Sequence, residues 1–552
     1  MTALEYSPAQ RERDDAQQAL ACPNLDFGGA YMAAGQLEWL AANHPQQVGS
    51  TAVRALCDLL LTERFSTQKQ CFFLYKKGSN ALTNVLLRSG NEELGAVGVS
   101  TLVEITTSRT GPVQKAAAEA LGTLPLDIPA QKGPPAYQGR LPAVRDTAQL
   151  AGAAGIHGVC RGRCLGRSFV AETPDCLLVI KLAREGEDAQ NLFEEAWWME
   201  RLVREAEAMD GFHVPRPLRV DGEPVFRLRK PPTNGSTSEG LHPDGLAMAF
   251  VAPRGYFAYP NEPGPGRLCT ARDLCRMLDK AARQLGALAS SGIVHTAPIP
   301  LFHNRVQRER RNDGGYYQWQ RGGRLDRWLA SCRHPNLGGS GLRDFEHFAA
   351  HTGPMRELYL AMGKHVLGLL LVAGSWFRAH DPARVGVDSA GNPVDARDLF
   401  DLRLFRDIAR MVFDAYHEGF AGAPRPAGLN WDLEPLVEAM VDQMGVDRHM
   451  EEILRVTDQQ NMTDQQFEAF LASRDVAEPH TRGEADVIML TGPHLGQFAG
   501  RISLPEILDY AAAAAGLCVA GRWLAENGRP ANMLEVRRTT VSTEETTTGA
   551  AA

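Results

Sequence analysis

The sequence predicts an α+β protein in which a small β-rich lobe packs on a helical lobe. A stack of short helices comes first and an extended helical region follows. Three observations predict this. Residues 36–123 carry amphipathic helical patterns broken by Gly, Ser, Thr and Pro. Residues 167–252 alternate strand-like runs with a single long helical run. From about Met355 onward almost every apolar run has helical spacing.

The first helical patterns are TAVRALCDLLLTERF, SNALTNVLLRSG, ELGAVGVSTLVEITTS and PVQKAAAEALGTL. Each is too short to be stable alone, so they must stack on one another as in a repeat module. AEALGTLP has the form of a HEAT-like repeat end, which makes 36–123 a HEAT-like helical domain that serves as a cap or a docking surface. Residues 1–35 form an N-terminal segment. Five prolines mark 124–145 as a linker.

The small lobe is expected over 146–262. RSFVAE and CLLVIKL are strands joined by a Pro-Asp turn, followed by a helix from Glu187 to Ala208. PRPLRV and PVFRLRK are strands flanking Asp221-Gly222, a two-residue hairpin signal. LAMAFVA supplies another strand. The helical lobe and C-terminal helices cover 263–535, beginning with TARDLCRMLDKAARQLGALASSG, and 536–552 is a low-complexity tail with a disordered composition.

Composition excludes several classes of function. The net charge is -8 over 552 residues, which argues against broad nucleic-acid or anionic-membrane binding, because both need clustered positive charge. One basic, aromatic island at 305–333 departs from this balance and reads as a solvated insert or an anion-binding segment. No uncharged apolar run reaches the roughly 18 residues of a membrane span. The opening residues lack a signal-peptide core. Ten scattered cysteines without framework spacing suit reduced thiols and a cytoplasmic setting. Cys160 and Cys164 have no second pair to complete a zinc site.

Four stretches carry chemistry. GIHGVCRGRCLGRSF places glycines at 155, 158, 162 and 166, where bare backbone N–H groups can approach phosphates; Gly162 and Gly166 are the candidate nucleotide contacts. Lys181 ends the buried pattern CLLVIK, and a lysine there needs an anion such as a phosphate or a carboxylate. Fourteen residues on, Glu195 has Leu192, Met199 and Leu202 as helical neighbours. A Glu in an apolar stripe points inward, which makes Lys181–Glu195 a candidate ion pair that positions a nucleotide; a strand-end lysine snorkelling to solvent beside an unrelated Glu is the alternative.

GIVHTAPIPLFHN (292–304) has the cadence of a kinase catalytic loop, but Ala297 stands where the base Asp belongs and Asn304 arrives two residues late. His295 and His303 are either proton carriers or structural imidazoles. GLRDFEHF (341–348) resembles the kinase metal-binding motif, with Glu346 in place of Gly. Asn304 and Asp344 are the candidate Mg2+ ligands, with Asp313 a weaker rival. His347 and His351 are spaced as a zinc pair or as polar surface of one helix.

Together VIK, FEEAWWMERL, HTAPIPLFHN and RDFEHF resemble the SidJ-related pseudokinases, a bacterial group of atypical protein-kinase-like proteins, over about 150–380. The resemblance implies a protein-kinase-like two-lobed fold and binding of ATP and Mg2+ by Lys181, Glu195, Asn304 and Asp344. It also implies a protein substrate whose carboxylate is adenylylated and then joined to glutamate. The C-terminal helices lack an IQ-x3-R-G pattern, so a calmodulin partner is not indicated. A non-catalytic scaffold that docks protein partners, and an atypical phosphotransferase, are the competing expectations.

Overall fold

The computed structural model describes residues 7–257 except 23, 63, 68–70, 127, 130, 159–160, 166, 209–212, 231–241 and 243; 270–296; 337–380 except 339–340; 402–434 with 437; 480–490 except 483–484; and 500–527. Gly166, Ala297, Asn304, His303, Asp313, the basic island and the tail lie outside them.

Six helices open the chain: α1 (Pro8–Leu20), α2 (Phe27–Asn43), α3 (Ser50–Leu61), α4 (Cys71–Arg88), α5 (Glu92–Ser108) and α6 (Gly111–Leu121). Local signals set their starts. Ser7 and Gln10 make a reciprocal capping box ahead of Pro8, while Asp26 and Asn91 cap α2 and α5. Their apolar stripes, including Leu37, Leu56, Leu74, Leu82, Leu102 and Leu121, close a shared core. The stack begins at Pro8, and α2 runs without a break through position 35, the expected edge of the N-terminal segment.

The Pro-rich stretch after α6 is a strap laid along a helix. Arg201 donates to the Gln131 side chain (2.9 Å), Gln190 donates to the Pro135 carbonyl (3.2 Å), and the Tyr137 N–H donates to Gln190 (2.5 Å). The strap ends in β1 (Ala143–Val144), and a short helix α7 (Thr147–Ala153) follows.

The mixed sheet comprises β1, β2 (Arg161–Leu165), β3 (Ser168–Glu172), β4 (Cys176–Leu182), β5 (Arg216–Pro217), β6 (Val225–Leu228) and β7 (Leu246–Pro253). Its order is β1-β6-β7-β4-β3-β2, with β5 on β7, and every pairing is antiparallel except β1 with β6. The Asp221-Gly222 turn forms, with positive φ at both residues and a Val220–Glu223 bridge. It does not pair β5 with β6 as a hairpin. Both strands lie end to end on the same edge of β7, so the turn is the tip of an excursion from one interrupted edge strand.

Alternation along β4 divides its side chains between the two faces of the sheet. Leu178, Ile180 and Leu182 pack with Leu150 of α7. Leu177 and Val179 face α8 (Ala189–Ala208), which presents Leu192, Ala196, Met199 and Leu202. Lys181 therefore lies on the α8 face.

The helical part contains α9 (Ala271–Ser290), α10 (Met355–His380), α11 (Leu402–Ala421) and α12 (Leu504–Asn527). Between α9 and α10 come β8 (Ile293–His295), the short pair β9 (Leu337–Gly338) and β10 (Gly341–Leu342), a 3-10 turn (Phe345–His347) and β11 (Phe348–Ala350), which pairs with β8. Within 480–503, expected to be helical, the described residues form an antiparallel sheet of β12 (His480–Arg482), β13 (Ala485–Leu490) and β14 (Gly500–Ser503). A short apolar run such as ADVIML does not distinguish strand from helix by periodicity, and here pairing decides. Within α10, Glu357–Gly374 is long and apolar enough to cross a membrane; 76% of that window is buried inside the protein.

Candidate functional site

The β4 face, the α8 stripe and the turn before β11 converge on one buried ionic cluster. Lys181 Nζ lies 2.7 Å from Glu195 Oε1 and 2.5 Å from its Oε2. The same ammonium is 3.4 Å from Asp344 Oδ1 and 3.3 Å from Glu346 Oε2. Side-chain exposure is 8% for Lys181, 4% for Glu195, and 8% for both Asp344 and Glu346.

A second cation joins from the β2–β3 turn. Arg167 pairs with Glu346, and lies 2.6 Å from Glu187 and 3.9 Å from Glu195. Its carbonyl accepts from Leu182 N–H (3.0 Å), which fixes the turn against the end of β4 next to Lys181. Four carboxylates thus surround two cationic side chains in a region almost closed to water. Burying surplus negative charge is costly, so the donor set fits a bound cation.

Asp344 reaches this place through its backbone. Its φ of 61° and ψ of 58° are left-handed, an unusual state for a residue with a side chain, and it begins the 3-10 turn that carries Glu346 and His347. His347 Nε2 lies 3.4 Å from Asp344 Oδ2 and 3.7 Å from Glu346 Oε1. The helix face that would carry His347 and His351, as a zinc pair or as polar surface, does not form, because the 3-10 turn gives way to strand β11 between them.

His295 sits beneath the cluster. Its ring meets Phe348 edge-on at 5.0 Å, and its backbone N–H donates to His365 Nε2 (3.1 Å). The same nitrogen lies 3.2 Å from the His295 carbonyl oxygen, and His365 Nδ1 lies 2.8 Å from the Tyr416 hydroxyl oxygen. Burial, reinforced by His347 and His365, pushes the His295 pKa well below its ordinary value. The ring is therefore neutral near pH 7.

Of the residues singled out from sequence, Lys181, Glu195 and Asp344 come together. Gly162 lies in β2, one strand away, where a Cβ would strike the Phe169 ring; its bareness makes room for that ring. Gly166, Asn304 and Asp313 are outside the described residues. Sequence reasoning missed Arg167 and Glu187, and it named Glu346 and His347 without bringing them to this cluster. The signal for the last two was present in DFEHF, which holds three ligand-type side chains in four positions; Arg167 gave none, being an ordinary turn residue until the fold buried it.

No protein-family profile matches the chain, and no curated protein matches it.

Proposed function

We propose that this chain is an ATP- and Mg2+-binding, protein-modifying enzyme on a protein-kinase-like frame, of the SidJ-related pseudokinase type. The observation that carries the reading is the convergence of a strand lysine, a helix glutamate and a turn aspartate: Lys181, Glu195 and Asp344, with both carboxylates within 3.4 Å of one ammonium. Such a constellation positions polyphosphate. Glu195 fixes Lys181, Lys181 meets phosphate oxygens, and Asp344 holds the divalent ion that neutralises them.

The surplus of carboxylates over cations in the cluster supports a nucleotide that arrives with its metal rather than as a bare polyanion. Bound Mg2+ supplies charge neutralisation and in-line orientation. Ala297, at the position of the usual base, suits an acceptor that needs none. A carboxylate oxygen attacks the α-phosphorus, the bond to the β-phosphate oxygen breaks, and pyrophosphate leaves with its electron pair. An amine then displaces AMP, forming an amide and releasing its proton. Glutamate is the amine that the SidJ-like reading assigns. The α1–α6 stack, read as HEAT-like repeats, serves as the docking surface for the protein substrate.

A non-catalytic scaffold is the second reading, favoured by one contact: Glu346 already pairs with both Lys181 and Arg167, the cations that phosphates would use.

Labelled ATP separates these outcomes. Adenylyl chemistry is expected to place α-label on protein when glutamate is withheld, to release it as AMP when glutamate is added, and to release γ-label in pyrophosphate in both cases; Lys181→Ala should abolish all three. Protein-bound γ-label would mean phosphoryl transfer instead. No saturable ATP·Mg binding in calorimetry would leave the scaffold.

A further inference from the structure

We infer that Asp344, Glu346 and His347 form a chelating site for a divalent transition cation, of which Mn2+ is the natural probe. The inference rests on the reading of Asp344 as a metal ligand, and it changes both the partners of that ligand and the class of metal.

Each carboxylate divides its two oxygens between opposite sides. Asp344 Oδ1 and Glu346 Oε2 face Lys181, at 3.4 and 3.3 Å, and Glu346 also engages Arg167. The remaining oxygens turn to His347: Nε2 is 3.4 Å from Asp344 Oδ2 and 3.7 Å from Glu346 Oε1. One ligand atom from each of the three residues lies within 4.8 Å of the others. The two measured separations exceed hydrogen-bond length. The 3.4 Å separation matches co-ligands of a single ion, since bonds of about 2.1 Å at tetrahedral or octahedral angles put neighbouring donors roughly 3.0–3.5 Å apart, and the 3.7 Å separation is slightly longer.

The chemistry of the set selects the metal. Two carboxylate oxygens are hard ligands that any divalent cation accepts, whereas an imidazole nitrogen favours first-row transition ions over Mg2+ and Ca2+. The 3-10 turn supplies all three ligands from four consecutive positions, and the β8–β11 pairing anchors that turn through Phe348 opposite His295. Lys181, on the far side of both carboxylates, and Arg167, on that of Glu346, orient them and restrain their charge.

The competing account is a metal-free cluster in which His347 bridges the two carboxylates. A titration of the full chain with Mn2+ alone, without nucleotide, decides between them, with unbound Mn2+ followed by its electron paramagnetic resonance. Saturable uptake of one Mn2+ per chain is expected, poorly displaced by excess Mg2+. Glu346→Gln should weaken uptake by roughly tenfold or more. His347→Asp should keep an all-oxygen site while losing the preference for Mn2+ over Mg2+. That change in selectivity is a readout which misfolding cannot imitate, and circular dichroism verifies the fold. Absence of saturable uptake, or affinity and selectivity unchanged in both variants, overturns the inference. Because the titration contains no nucleotide, a negative result leaves ATP binding to be judged by its own assay.

Discussion

At the scale of single residues, Lys181 governs the site. Its ammonium compensates Glu195, which is 4% exposed, and also meets the carboxylates of the turn. Removing one partner of a buried pair leaves an uncompensated charge, at a cost of about 3–5 kcal/mol. Lys181→Met should therefore lower the unfolding free energy by that order as well as abolish the proposed nucleotide binding. The double variant Lys181→Met/Glu195→Leu should recover part of the stability and none of the binding. Equal loss in the single and double variants would show that the pair is not coupled.

Two imidazoles make stability depend on pH. Burial lowers the pKa of His365 and of His417 to about 4, below the ordinary 6.5. Both are neutral in the folded state, so their contribution is complete above pH 6.5 and is lost as pH falls from 6.5 toward 4. Calorimetry should find the unfolding temperature dropping across that window, and His417→Leu should flatten part of the drop. A flat profile in the parent chain would contradict the burial of these rings.

At the scale of elements, the crossing of α9 and α11 depends on two glycines. A Cβ on Gly286 would collide with the Tyr416 carbonyl and with Phe420 N at 2.8 Å, and a Cβ on Gly419 would strike the backbone of Arg283. Backbone cannot yield as a flexible side chain does, so Gly286→Ala should cost about 1–3 kcal/mol in urea unfolding. A neutral result would mean that the helices lie farther apart.

The elements also mark where the chain's local code was readable. The Asp221-Gly222 turn was legible, since both residues adopt the positive φ that this dipeptide favours. Its consequence was not, because whether β5 and β6 pair with each other or share β7 depends on a strand more than twenty residues away. Likewise the five prolines marked 124–145 as a linker, yet the stretch ends in strand β1, and its seat along α8 is made by Gln131, Pro135 and Tyr137 meeting side chains that local sequence cannot place.

At the scale of the whole molecule, α12 joins the parts. Ala515, Cys518 and Val519 belong to the core that spans sheet and helical lobe, while Ala520 and Leu524 complete the core of α1–α6. The run AAAAAGLCVAG is small and apolar on every side, as expected of a helix enclosed by neighbours. Gly363 approaches the Ala512 backbone, and Gly516 faces the Tyr359 ring. Ending the chain at residue 503 should therefore open two cores at once. Calorimetry should find the cooperative transition of the full chain lost, and fluorescent hydrophobic dyes should bind. If the truncated chain unfolded as sharply as the parent, the linking role would be refuted.

The sequence by itself determined what depends on near neighbours: helix caps, the 2.0 and 3.6 periodicities, the inward faces of Lys181 and Glu195, and the α+β class. Alternation turns every second side chain of β4 toward α8 whatever lies beyond, and an apolar stripe turns Glu195 inward in the same way. Only the tertiary structure decided what those inward groups meet. Arg167, Glu346 and His347 enter the cluster because an edge turn of the sheet and a left-handed Asp344 bring chain segments some 180 residues apart into contact. Charge compensation across that distance follows from packing, and packing has no local signature.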